Sequence, residues 1–172
     1  DGIREHLGWR QHILYMSPRG KVLAQEDAKR LARGPGLLIL CGHYEGVDER
    51  LLEEYQAEEI SVGDYVLTGG ELPAMLLTDA VARMLPGVLS EEACFTEESH
   101  YSGLLEYPQY TRPEVWRGRP VPEVLLSGHH GNIERWRRAQ ALAVTRRSRP
   151  DLWERLELAK EDQRLLETLD RG

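Results

Sequence analysis

Along the first half of the chain, short apolar runs alternate with longer amphipathic segments, and glycine follows most of the runs. His12 to Ser17 (HILYMS) joins β-formers to the breaker Pro18-Arg19-Gly20, which predicts a strand followed by a turn. Gln25 to Arg33 predicts a helix, stopped by Gly34-Pro35-Gly36. Leu37 to Cys41 (LLILC) is apolar without interruption, the pattern of a strand buried on both faces, and ends at Gly42. Val47 to Tyr55 predicts a short acidic helix, and Glu58 to Leu67 contains another strand before Thr68-Gly69-Gly70. Glu71 to Leu85 predicts a helix with Pro73 in its first turn, where proline is tolerated, and Pro86-Gly87 ends it. Strands that alternate with helices indicate an α/β fold with a parallel sheet. In such sheets ligands sit at the carboxyl ends of the strands.

The pattern changes after residue 89. Ser90 to Gly103 is polar, acidic and weakly periodic, and predicts a flexible linker. Tyr107 to Pro122 is rich in proline and arginine, Asn132 to Arg147 reads as a basic amphipathic helix, and Pro150 to Ala159 and Glu161 to Leu169 read as two more. The predicted organisation is an α/β domain over residues 1–89, a linker over 90–104 and a small helical domain over 105–172.

Charge sharpens this division. The net charge of −7 argues against nucleic acid only when averaged over the chain. Residues 45–106 hold 15 acids against Arg50 and Arg83, whereas residues 112–155 hold 10 arginines against 5 acids. An acidic body with a basic tail can supply the phosphate-neutralising contacts that dominate nucleic-acid affinity. A solvated helical face is the plainer reading of the same charges. Cys41 and Cys94 are too few and too far apart for a disulfide scaffold or a thiolate zinc site, and no apolar run approaches the length of a membrane span. A cytoplasmic protein is expected.

Two segments carry the candidate chemistry. In Cys41 to Arg50 (CGHYEGVDER), Gly42 and Gly46 flank a polar cluster at a strand end, which suits either a ligand loop or a simple βα turn. In Ser61 to Pro73 (SVGDYVLTGGELP), glycines bracket Asp64, Tyr65, Val66 and Leu67. The spacing is neither the G-x-G-x-x-G dinucleotide fingerprint nor a P-loop. A lysine-free loop with apolar Val66 and Leu67 suits an adenine-bearing cofactor better than a nucleoside triphosphate, and a hairpin-like bend is the structural alternative. Arg83 follows Asp79 by four residues, which allows a helical ion pair or a cation for charge developing on a substrate oxygen. Glu97 and Glu98 in the linker are solvated acids or, on a mobile loop, a general base. His129 and His130 are adjacent and have no partner at ligand spacing, so no metal site is expected. No G-x-S-x-G elbow supports a serine hydrolase.

Taken together, these segments resemble the bacterial tRNA (guanine-N1)-methyltransferases of the SPOUT class, the TrmD family. The match is carried by Tyr15 to Gly20, Cys41 to Arg50, Ser61 to Met75, Leu85 to Leu89, Gly103 to Pro113 and Val124 to His130, with Ile133 and Trp136-Arg137 beyond. The resemblance implies a SPOUT-type sheet with a deep trefoil knot whose loops hold S-adenosyl-L-methionine. Cofactor contacts then fall on Ser17, Pro18, Gly42, Tyr44, Glu45, Val62, Gly63, Asp64, Tyr65, Val66, Leu67, Gly69, Gly70 and Pro73. It further implies a homodimer with shared active sites, a linker that orders when tRNA binds, and methylation of N1 of the guanine just 3′ of the anticodon. Magnesium is implied by the resemblance only.

Arg83 matches the family arginine near the guanine oxygen. Glu98 stands where the family base is an aspartate, one methylene shorter, and Glu97 is its neighbour. His43 stands where the family often has arginine, and Gln109 where it often has histidine. The helical domain would grip the anticodon arm, with Arg112, Ser127, His130, Arg135 and Arg137 as RNA contacts. Family members carry a further amino-terminal segment with no counterpart here, so the natural protein is expected to extend upstream of Asp1. The competing reading is a truncated, non-catalytic fragment that binds RNA or cofactor, and S-adenosylmethionine calorimetry separates the two.

Overall fold

The computed structural model describes residues 12–89, 99–100 and 103–169, together with Gly2 and His6. The chain divides into two compact units on either side of the 95–96 peptide bond.

The first unit is an α/β layer built on a parallel sheet of order β2-β1-β3. Strand β1 (His12–Val22) lies in the middle, with its residues Ile13 to Ser17 buried. It pairs in parallel with β2 (Leu37–Cys41), His12 opposite Leu37 through Met16 opposite Cys41. On its other side it pairs with β3 (Glu58–Ser61). The chain steps from β1 to β2 through helix α1 (Gln25–Ala32), then crosses over β1 to β3 through α2 (Glu49–Glu54). The order of connection reverses at β1, and that is the position at which open α/β sheets form a crevice.

Two expectations change here. Pro18-Arg19-Gly20 does not turn the chain but lies inside β1, which runs on to Val22. The ladder with β3 slips instead: Met16 and Lys21 both face Ile60, so Ser17 to Gly20 bulge out of register. Proline has no N–H for the ladder, and a bulge accommodates it. Gly20 is required by proximity, since a Cβ there would lie 2.4 Å from the Glu59 carbonyl carbon. The second change concerns Leu37 to Cys41, which is half-buried rather than buried on both faces. Among the described residues β2 has β1 as its only sheet neighbour, so it lies at an edge.

Helix α1 starts with the Asp27 carboxylate, at its third position, accepting the Ala24 N–H at 3.1 Å, which is half of a capping box because alanine has no side-chain acceptor to return. Its Ala28 and Leu31 pack with Leu77 and Val81 of α3 (Glu71–Ala82) over Leu14, Met16 and Ile60 of the sheet. The core contact seats α3 on the sheet, and its first turn, at Pro73, borders the cavity described below.

The second unit is mostly helical. A hairpin of β4 (Val115–Trp116) and β5 (Arg119–Pro120) precedes α4 (Glu123–Leu126), the long α5 (His130–Ser148), the short α6 (Pro150–Trp153) and α7 (Lys160–Leu169). Its core gathers Leu104, Ala141, Leu142 and Leu166, with Trp153 and Leu165 half-buried against them. Two polar contacts index this core. The buried Thr145 hydroxyl accepts the Leu105 N–H at 2.9 Å and donates to the Ala141 carbonyl at 2.7 Å. Arg138 of α5 donates to both oxygens of buried Asp162 on α7, at 2.8 and 2.9 Å. The Arg138 hydrogen bonds outweigh burial and hold the Asp162 carboxyl below its ordinary range.

Candidate functional site

Three loops at the carboxyl side of the first unit's sheet enclose a cavity of about 430 Å³, within the range of small-molecule sites. The β1 bulge contributes Ser17 and Pro18. The segment after β2 contributes Gly42, Tyr44 and Glu45. From the segment after β3 come Val62, Tyr65, Val66, Leu67, Gly69 and Gly70, with Pro73 from the first turn of α3. Residues as far apart in sequence as Ser17 and Pro73 thus converge because the strand ends converge. Gly63 and Asp64 belong to the third loop but do not line the cavity.

The third loop is held by hydroxyl side chains bonded to its own backbone. The Ser61 hydroxyl donates to the Gly63 carbonyl at 2.9 Å and accepts the Gly63 N–H at 3.1 Å, and the Tyr65 hydroxyl donates to the Val62 carbonyl at 3.3 Å. Val66 and Leu67 remain exposed. At the far end the Gly70 N–H donates to the Gly42 carbonyl at 3.2 Å, which ties the third loop to the second. A Cβ on Gly70 would sit 2.8 Å from the Cys41 Cα and 3.1 Å from the Gly42 nitrogen, so only glycine brings α3 this close to the end of β2. Tyr44 is fully exposed with φ of 54°. A tyrosine held in the left-handed region at a cavity mouth is the kind of backbone outlier that concentrates at ligand sites.

Some lining residues carry no obvious sequence signal. Arg19 is one: its guanidinium bridges Glu59, at 3.0 and 3.2 Å, and Glu49, at 3.0 Å. It therefore joins the β1 bulge to β3 and to α2, and the two carboxylates raise its pKa further. Tyr15, Met16, Val47 and Thr68 also line the cavity. The register slip at Met16 is what brings the bulge to the cavity, and only a knowledge of the pairing partner reveals it. His43 is hydrogen-bonded to Glu71 at 2.5 Å, across the base of the loops. Burial, with help from the Glu71 carboxylate, pushes the Cys41 thiol up, which disfavours a thiolate nucleophile at the end of β2.

The remaining candidate residues lie elsewhere. Arg83 is the C-cap of α3, its backbone N–H bonded to the Asp79 carbonyl at 3.1 Å, and it is outside the cavity lining. Glu98 and Glu97 lie outside the described residues. In the second unit Arg112 and Arg137 line a separate cavity of about 630 Å³. Ser127 closes α4 through a bond to the Val124 carbonyl at 2.7 Å, and His130 opens α5. Arg135 bonds within its own helix, to Asn132 Oδ1 at 2.9 Å and the Gly131 carbonyl at 3.1 Å. Among the described residues no group of three or more His, Cys, Asp or Glu could hold a metal ion, and no helix is long and apolar enough to cross a membrane.

The model of the family described as tRNA (guanine-1)-methyltransferase, TrmD, matches residues 2–155. The chain belongs to this family. Among curated family members, it is 62% identical over 154 residues to a tRNA (guanine-N(1)-)-methyltransferase of Ruminiclostridium cellulolyticum, covering 90% of this chain and 66% of that protein. It is 59% identical over 157 residues to one of Alkaliphilus oremlandii, covering 91% and 63%, and 57% identical over 150 residues to one of Ruegeria pomeroyi, covering 87% and 62%. The chain therefore spans a little under two thirds of these relatives' length.

Proposed function

We propose that this chain forms the cofactor-binding and RNA-gripping part of an enzyme that methylates N1 of guanosine 37 of tRNA, next to the anticodon. The observation that carries the reading is the three-loop cavity at the strand ends of a chain in this family. Its lining fits S-adenosylmethionine chemically. The third loop is lysine-free and offers apolar Val62, Val66 and Leu67 for an adenosyl group, and Glu45 provides a carboxylate for the cationic end. Bound there, S-adenosylmethionine supplies an electrophilic methyl group on a sulfonium.

The chain's own residues do the rest. The mutually tied loops fix the cavity walls before binding, so little ordering entropy is left to spend. Arg83 stabilises negative charge that develops on the guanine oxygen as N1 loses its proton. Glu98 takes that proton, on the strength of the family resemblance, as a carboxylate delivered by the connecting segment 90–104. The arginine-rich second unit neutralises phosphates of the anticodon arm through Arg112, Arg135 and Arg137, while Ser127 and His130 offer it hydrogen bonds.

Leu72, Met75 and Leu76 of α3 are exposed on one helical face. That stripe supports a homodimer in which each site is shared, since exposed apolar faces mark protein interfaces. A deep trefoil knot through the loop region and a cytoplasmic location complete the reading. Magnesium enters it only through the family resemblance.

Replacing Glu98 with Gln tests the assignment of the base. Single-turnover methyl transfer should slow by about 100-fold or more, in the range for loss of a general base, while calorimetry gives an unchanged S-adenosylmethionine affinity. If rate and affinity fall together, Glu98 is structural and the base lies elsewhere.

A further inference from the structure

Four residues of β1, Ser17 to Gly20, stand outside the ladder with β3, because Met16 and Lys21 both face Ile60. Ser17, Pro18 and Arg19 of these line the three-loop cavity. Proline has no N–H for a ladder, and the Arg19 N–H donates to the Ser17 hydroxyl at 3.2 Å, so the bulge is folded onto itself. A regular ladder would fasten these residues to β3 through the backbone. Here the Arg19 side chain does so. Its Nε and Nη2 donate to the two Glu59 carboxylate oxygens at 3.2 and 3.0 Å, and the same Nη2 reaches Glu49 Oε2 at 3.0 Å.

These partners lie at the roots of the other two walls. Glu59 belongs to β3, which leads straight into the third loop. Glu49 is the first residue of α2 and directly follows the second loop. One guanidinium therefore joins the bases of all three loops. The two arms differ: the Glu59 side chain is 25% exposed and that of Glu49 57%. Glu59 is the anchor, and Glu49 is reached across the rim, where it lines the cavity with Arg19. Exposed ion pairs add little to the stability of a fold, and the core of Leu14, Met16 and Ile60 supplies that beneath the site. A weak tie matters more to a cavity wall, because any loop that must be ordered on binding subtracts from affinity. A planar guanidinium can serve two carboxylates at once, whereas an ammonium is a point charge on a flexible stem.

We propose that Arg19 is a positioning residue for the methyl donor: anchored on Glu59, it holds the β1 bulge and the start of α2 at the separation that bound S-adenosylmethionine needs, and it acts through those walls, not by contact with the ligand. The inference rests on the cofactor reading of the cavity above and names the side chain on which its pre-formed shape depends.

The test is calorimetry on the natural full-length protein with two ligands, S-adenosylmethionine and its decarboxylated form, which lacks only the carboxylate that an arginine could bind. Arg19→Met keeps the aliphatic stem and removes the charge. It should weaken both ligands by the same factor, roughly 3-fold to 10-fold, the scale of exposed ion pairs. Arg19→Lys should recover part of that loss for both. Glu49→Gln should also weaken both, and adding it to Arg19→Met should bring no further loss, because the tie between them is already gone. Unfolding temperature should fall by no more than about 4 °C in any of these variants. An arginine with a merely structural role would lower stability in step with affinity, and its loss would add to that of Glu49→Gln.

Wild-type affinity in Arg19→Met overturns the inference. So does a loss confined to S-adenosylmethionine, which would make Arg19 a direct contact of the ligand carboxylate. Additive losses for Arg19→Met and Glu49→Gln overturn it too, as does an Arg19→Lys variant no better than Arg19→Met. Wild-type protein that binds neither ligand overturns the cofactor reading, and the inference with it.

Discussion

The two cavities of this protein are built on opposite principles. In the first unit the walls are set by how the loop backbones approach one another: the Ser61 hydroxyl bonds Gly63, Gly70 bonds Gly42, and Arg19 pins the bulge in β1. Its shape depends on how closely three strand ends approach. In the second unit the walls are side chains, with Arg137, Tyr107, Tyr110 and Glu114 presented by a loop, a hairpin and a helix. A backbone-walled site recognises a small ligand by shape and tolerates little change at its glycines. A side-chain-walled site uses charge and stacking, and it tolerates substitution more gracefully.

The sharpest way to break this contrast is to add atoms to the first site. Gly70→Ala forces a Cβ against the backbone of Cys41 and Gly42. Calorimetry should give at least ~100-fold weaker S-adenosylmethionine binding, about 2.7 kcal/mol, together with a lower unfolding temperature. Near-normal affinity would mean that the loops are looser than their bonds imply.

The cores beneath the two sites provide the next comparison. Leu14→Ala and Leu142→Ala each empty a fully buried position, one in each unit, and each should cost about 2–5 kcal/mol in denaturant unfolding. Cofactor affinity should suffer only for Leu14→Ala. An equal loss for both would show that the units are energetically coupled. A smaller effect is expected for Thr145→Val, which strips the Leu105 N–H of its acceptor at nearly constant volume and should cost about 1–3 kcal/mol.

The smallest effect concerns acid. Asp162 has its folded pKa lowered by the Arg138 hydrogen bonds. Its contribution to stability is therefore present above the unfolded carboxylate pKa and is lost as pH falls through the lower folded value. Helical signal from the second unit should weaken in that acidic window, and Asp162→Asn should flatten the dependence. An unchanged profile in Asp162→Asn would assign the acid sensitivity to other carboxylates of the second unit, such as Asp151 beside Arg149.

How much of this was legible in the sequence follows the same division. Strands ending in glycine and helices with clear stops gave the parallel α/β unit and all three cavity loops, because backbone approach leaves its mark as glycine at particular spacings. The bulge at Ser17 to Gly20 was not legible as such: proline and glycine signal a break in pairing, but whether the chain turns or slips depends on the partner strand. The half-burial of β2 was hidden for a related reason, since an apolar run does not state how many neighbours it will have. Arg19 was not singled out at all and Arg137 only as an RNA contact by family resemblance, because their structural roles, the Arg19 ion pairs and the Arg137 stacking, depend on Glu49, Glu59 and Tyr107, which lie 30 to 40 residues away in all three pairs. Glu98 was singled out by family resemblance and lies outside the described residues.

The central claim is methyl transfer to one atom of one nucleoside. Natural full-length protein incubated with S-adenosylmethionine and a tRNA bearing guanosine after the anticodon should yield 1-methylguanosine at that position, detected by mass spectrometry of the digested RNA. The same tRNA with adenosine there should remain unmodified. A methyl group on a ribose or at another base, or none at all, would contradict the account.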